Sequence, residues 1–160
     1  MNNTGSNSPK LKIDRFTKGF LSGVTAGVFL NIYNFFFYYI LKLVNIRFID
    51  WASIFMLGKR PVTTVELIYT TITQITWDGT LGIIFAFLLT KINSQRYLLK
   101  GVIYGFFIGF SFRSLAVMFK LPFLSQPVAT RTNLINVIGI IIWGLILSTA
   151  LHFLDKNTVE

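Results

Sequence analysis

Cysteine is missing altogether, histidine occurs once, and the acidic residues number six. The chain therefore has no disulfide, thiolate nucleophile, lipid-modified cysteine or cysteine metal site. A metal centre would need to be assembled from a few oxygens and His152. No phosphate-binding glycine loop, dinucleotide fingerprint, nucleophile elbow or zinc-protease motif is present. The only available carboxylate pair, Glu66 and Asp78, would lie about 18 Å apart along a helix axis, too far for joint acid–base work. These absences predict a protein with no enzymatic activity and no cofactor.

Charge is scarce as well. Only 13% of residues are charged, against about a quarter in soluble domains. Hydrophobic residues make up 53% and aromatic ones 16%. The net charge of +9 suggests nucleic acid at first sight. However, Lys10, Lys12, Arg15 and Lys18, then Lys91, Arg96 and Lys100, flank apolar stretches. In such places cations set topology and attract anionic lipid head groups. The partners expected are the bilayer, other membrane proteins or a second copy of the chain, with no nucleic acid.

Four apolar stretches are long enough to cross a ~30 Å bilayer core as helices. They run over about 18–44, 63–90, 97–119 and 131–154. The fold class predicted is all-α, an integral membrane four-helix bundle. A polar tail over 1–15 is expected to be disordered, leaving 16–160 as one membrane domain. The first apolar run exceeds a signal-peptide core of about 7–15 residues and reads as an uncleaved anchor. Between the first two spans, Asp50 to Gly58 reads either as a short interfacial helix, with Asp50 as N-cap and Gly58 as stop, or as a buried loop segment. Residues 91–96 predict a tight turn, and 120–130, with two prolines, an irregular connection. The lysine and arginine balance weakly favours both termini on the cytoplasmic side.

The halves of the chain share a pattern. Lys18, Gly19, Gly23 and Gly27 recur as Lys100, Gly101, Gly105 and Gly109. The offset is 101 − 19 = 82 residues. Pro61-Val62, Thr64, Trp77 and Phe87-Leu88 recur as Pro127-Val128, Thr130, Trp143 and Phe153-Leu154. That offset is 143 − 77 = 66 residues. A duplicated helical hairpin is predicted, repeat one over 18–91 and repeat two over 97–156, with both copies facing the same way. Glycines four apart share a helix face and let backbones approach closely. The expectation is that the faces of spans one and three pack on each other inside the monomer, with a homo-oligomer as the alternative.

Ionisable residues inside a span are costly and point to function. In span two, Glu66, Thr70, Gln74 and Asp78 recur every four residues, with Thr63, Thr73 and Trp77 on the same broad face. Asn31 reaches a similar depth in span one, and Arg113 lies in the outer half of span three. The expected cluster is Asn31, Glu66, Gln74, Asp78 and Arg113, with Asp78 and Arg113 as a charge pair and Asn31 satisfying a carboxylate oxygen. Either it holds the bundle in register or it is a solute or proton site. Asn133 and Asn136 are candidates for bonds between helices, His152 for an interface residue, and 35–39 with Trp51 for an aromatic belt.

With the DWASIFMLGKRP segment, the KG-x-x-x-G rows and four spans in view, the chain is similar to YqhR-type conserved membrane proteins of Gram-positive bacteria. The resemblance covers 18–155 and implies a bacterial inner membrane. It supplies no assigned activity or site residues. The function expected is a small structural or regulatory membrane protein; the alternative is a small oligomeric transporter or channel working around Asp78 and Arg113.

Overall fold

The computed structural model describes residues 13–92 and 95–156. It is all-helical among the described residues: α1 (Arg15–Phe35), α2 (Phe48–Leu57), α3 (Thr64–Ile92), α4 (Tyr97–Met118) and α5 (Thr130–Lys156). Four helices are long and apolar enough to cross a membrane, the first counted with the π-helical turn Phe36–Ile40 that continues α1. They form a four-helix bundle, and the chain reads as a multi-pass membrane protein.

Local signals set the helix ends. Asp14 caps α1 by accepting the Thr17 backbone N–H at 3.1 Å. Bonds from the Thr17 hydroxyl and backbone hold the Asp14 carboxyl below its ordinary value. Residues 13–15 of the expected tail are thus ordered, with Arg15 already helical; residues 1–12 lie outside the described residues. The first helix stops at Ile40, short of Val44, and Lys42 takes a positive φ of 52°. The short helix α2 does form, but it starts at Phe48 with Arg47 as N-cap. Asp50 sits one turn in, accepting the Arg47 backbone N–H at 2.8 Å, as the acidic third residue of a capping box does. Gly58 ends it with φ 68°, a left-handed conformation suited to glycine. The turn at 91–96 begins later than expected, since α3 runs on to Ile92, and residues 93–94 lie outside the described residues. The connection before α5 is irregular, with positive φ at Lys120 and Phe123.

Successive spans run antiparallel. Helix α1 packs between α3 and α5, and α4 packs on α5. The α3–α4 side is filled by large rings: Tyr104 donates its hydroxyl to the Leu81 carbonyl at 2.9 Å, and its ring lies 5.0 Å from Phe85. Leu81, Phe85, Leu89, Trp143, Leu147 and Leu151 form the central apolar core. In this up-down-up-down order α1 and α4 are diagonal, so the expected packing of their glycine faces on each other does not occur.

Each glycine row instead seats the next long helix of its own hairpin. A Cβ on Gly82 would stand 2.7 Å from the Gly23 Cα, and one on Gly23 would stand 2.8 Å from the Gly79 Cα. In the other hairpin, a Cβ on Gly144 would stand 2.8 Å from the Gly101 carbonyl carbon. Gly19 also lies against Gly82, its added Cβ 2.8 Å from the Gly82 carbonyl oxygen. The contacts Gly19–Gly82 and Gly101–Gly144 correspond with shifts of 101 − 19 = 82 and 144 − 82 = 62 residues. The 66-residue match is therefore one helical turn away from the contact register.

Candidate functional site

The polar stripe of α3 turns inward. Thr70, Gln74 and Asp78 are buried; Thr63 and Trp77 are exposed, outside that buried face. A four-residue spacing keeps a stripe on one face with a drift of roughly 40° per step, and α1 covers it with its smallest residues. Gly27 makes the notch for Asp78: a Cβ there would stand 2.8 Å from the Asp78 Cβ and still closer to Oδ2. One turn on, Asn31 donates its amide N–H to the Gly27 carbonyl at 3.0 Å. Gln74 donates Nε2–H to Asp78 Oδ2 at 2.8 Å. The antiparallel register places Gly27 with Asp78 and Asn31 with Gln74, since both pairs sum to 105.

These bonds use one N–H of each amide and leave the oxygens of Asn31 and Gln74. Asn31 Oδ1 and Gln74 Oε1 are buried and accept no hydrogen bond among the described residues. Nothing else donates to Asp78 among the described residues, and no salt bridge reaches it there. The centre of the α1–α3 interface thus holds two amide oxygens that no donor reaches among the described residues.

Two expected members stand elsewhere. Arg113 does not pair with Asp78: its guanidinium donates to the Leu124 carbonyl and, at 3.0 Å, to the Gln126 carbonyl. It ties α4 to the irregular loop, whose freed carbonyls accept it. Glu66 belongs to the start of α3. It accepts the Val62 and Thr63 backbone N–H groups at 2.7 and 3.1 Å, while Thr63 Oγ1 accepts the Glu66 N–H at 3.2 Å. Lys59 pairs with it at 2.6 Å. Thr63-x-x-Glu66 is a capping box, and that signal was legible in the sequence.

Two charged clusters escaped sequence reasoning. At the end carrying both termini, Asp155 accepts from Arg15 at 2.6 Å, Lys18 at 3.2 Å and the Tyr97 hydroxyl at 3.0 Å. Arg15 also donates to the Ala86 carbonyl at 3.0 Å, so this knot touches all four long helices. At the α2 end, Arg47 grips Asp50 through Nε at 3.1 Å and Nη2 at 2.8 Å. The same guanidinium donates to the Tyr39 hydroxyl at 2.7 Å and lies 4.9 Å from the Tyr38 ring centre. Burial works against the Arg47 charge, but Asp50 and Tyr39 more than offset it and hold the guanidinium above its ordinary value. Part of the expected aromatic belt is therefore a protein contact.

Asn133 is exposed, and Asn136 carries a buried Oδ1 that accepts no bond among the described residues; neither makes the expected bond between helices there. His152 is exposed and stacks near Tyr97, ring centres 4.7 Å apart. No group of three or more histidine, cysteine or acidic residues is placed to hold a metal ion among the described residues. No family model, curated protein or solved structure matches the chain.

Proposed function

We propose that the protein is a non-catalytic multi-pass protein of a bacterial inner membrane, acting through association with other membrane components. The carrying observation is the surface of α4. Its glycines are used on α5, while Leu99, Ile103, Phe106, Phe107 and Phe110 form an exposed apolar flank. The charged side chains at the two ends tie the bundle to itself, which leaves the lateral faces for partners. We place both termini in the cytoplasm, where the terminal cluster of basic residues suits the positive-inside bias.

We also read the hairpins as copies of one unit with glycine-mediated packing. In its support, the 62-residue shift pairs Thr70 with Thr132, Gly82 with Gly144 and Leu89 with Leu151, all buried. It also pairs Gln74 with Asn136, amide with amide.

Photo-crosslinking in native membranes tests the proposal. A photoreactive residue at Phe107 is expected to capture protein, and one at Ile32 on the lipid-facing side of α1 to capture only lipid. Lipid adducts alone at both sites would refute association through α4. Reporter fusions at the C-terminus test the orientation, with cytoplasmic reporter activity expected.

A further inference from the structure

We propose that Asn31, Gln74 and Asp78 form a binding site for one small monovalent cation, with Na⁺ as the fitting size and charge. The proposal goes beyond the association reading and stands independently of it. All three residues are more than nine-tenths buried, at 5%, 7% and 5% exposure. One N–H of each amide is used inside the site, on the Gly27 carbonyl and on Asp78 itself. Turning the Asn31 amide over would set its oxygen against the Gly27 carbonyl, and turning that of Gln74 would set its oxygen against an ionised Asp78, so with a charged carboxylate the free atoms are oxygens. What remains is two amide oxygens and a carboxyl group that the antiparallel register sets within one turn of each other, with no protein cation in contact among the described residues. Buried acceptors without donors are costly, and a buried carboxylate without a counter-charge more so.

An oxygen-only donor set excludes the metals that prefer sulfur or imidazole. One carboxylate balances a single positive charge, which disfavours a divalent ion. A proton on Asp78 would serve the Gln74 oxygen only once that amide turned over, whereas a cation would meet the oxygens as they stand.

The second hairpin separates this reading from a purely structural one. Gly27 accommodates the side chain of Asp78, and Gly109 accommodates that of Ile140, whose Cγ2 would lie 3.3 Å from an added Cβ. The shifts are again 109 − 27 = 82 and 140 − 78 = 62. An aliphatic side chain therefore fills the slot beside Gly109 as a carboxyl side chain fills the one beside Gly27, so filling such a slot does not by itself call for a carboxyl group.

The test is thermal unfolding of the full chain in lipid nanodiscs at constant pH and ionic strength, with Na⁺ replacing N-methylglucamine. Saturation of the site is expected to raise Tm by about 3 °C or more, and Asp78→Ile, built to mimic Ile140, is expected to fold and lose the response. A Tm indifferent to Na⁺, or a response unchanged in Asp78→Ile, overturns the proposal. So does a Tm that follows pH but not Na⁺, which would mean a proton alone. If Asp78→Ile does not fold, carbodiimide labelling of Asp78 in the native chain decides. Roughly fivefold slower labelling in saturating Na⁺ upholds the site, and equal labelling overturns it.

Discussion

Gly82→Ala tests the packing scheme at one of its tightest points. The added Cβ would stand 2.7 Å from the Gly23 Cα and 2.8 Å from the Gly23 nitrogen, and still closer to the Gly19 carbonyl oxygen. Carbon atoms rest at about 3.5–4.0 Å, so α1 and α3 must separate by roughly 1 Å at this crossing. No rotamer change relieves the clash, because every one of these neighbours is backbone. Overpacking of this kind costs about 1–3 kcal/mol, while alanine gains about 0.8–1.0 kcal/mol in helix propensity over glycine. The difference is a net loss of about 0–2 kcal/mol, and with only backbone to yield the upper end is expected, up to roughly a 30-fold fall in the folding constant. Gly109→Ala is the control, because the nearest atoms there belong to the Ile140 side chain and can move. Steric-trapping measurements in bicelles would compare the two. A Gly82→Ala protein more stable than wild type would show that the glycine contact does not set the α1–α3 distance.

Replacing Arg47 by Ala leaves Asp50, at 1% exposure, without its bidentate partner. A loss of about 3 kcal/mol is expected in the same assay, and Arg47→Lys should recover little of it because an ammonium lacks the planar fork. Asp155→Asn removes the charge that joins Arg15, Lys18 and Tyr97. About 2 kcal/mol is expected to be lost, with the increment shrinking as salt is raised. A double-mutant cycle between Asp78 and Arg113 should give a coupling below about 0.5 kcal/mol, since Arg113 spends its donors on loop carbonyls. Rescue by the charge-swapped pair would contradict that geometry. Asp14 has a lowered folded value, so its cap contributes fully above the ordinary 3.8 and weakens as acid passes through the lowered value. Asp14→Asn should flatten the acid limb of the stability curve.

The span count and the inward turn of the α3 stripe were legible because both follow from hydropathy and a four-residue period. The stop at Gly58 was legible too, since a left-handed end favours one residue type. Partner choice was not. The sequence presents two glycine rows but does not say which helix each row meets, and bundle order put α1 and α4 on a diagonal. Arg113 and Asp78 lie on different long helices, so depth alone could not show that Arg113 turns towards Leu124 and Gln126. The Asp155 knot joins residues separated by 140 positions from Arg15, and no local pattern announces a contact of that range. The Thr63–Glu66 box was different: its spacing is a local signal, obscured here by placing Glu66 on an intramembrane stripe.

The acidic residues show where the fold leaves a chemical question open. Of the five within the described residues, four can be assigned by their contacts. Asp14 caps α1. Asp50 closes the start of α2 and holds Arg47. Glu66 caps α3 and pairs with Lys59, and Asp155 gathers Arg15 and Lys18. These four lie near helix ends, where water and head groups lower the cost of a charge and unpaired backbone donors or cations are at hand. Asp78 has neither a cap to make nor a protein cation to meet, and it sits where a carboxylate is most expensive. Its hydrogen-bond donor is Gln74, on its own helix, so it does not join helices in the way Asp155 does. An isoleucine, Ile140, fills the slot beside Gly109, so filling the slot beside Gly27 does not in itself require a carboxyl group. A bound cation would balance the cost of burying one, which makes the Na⁺ dependence of stability the measurement to begin with.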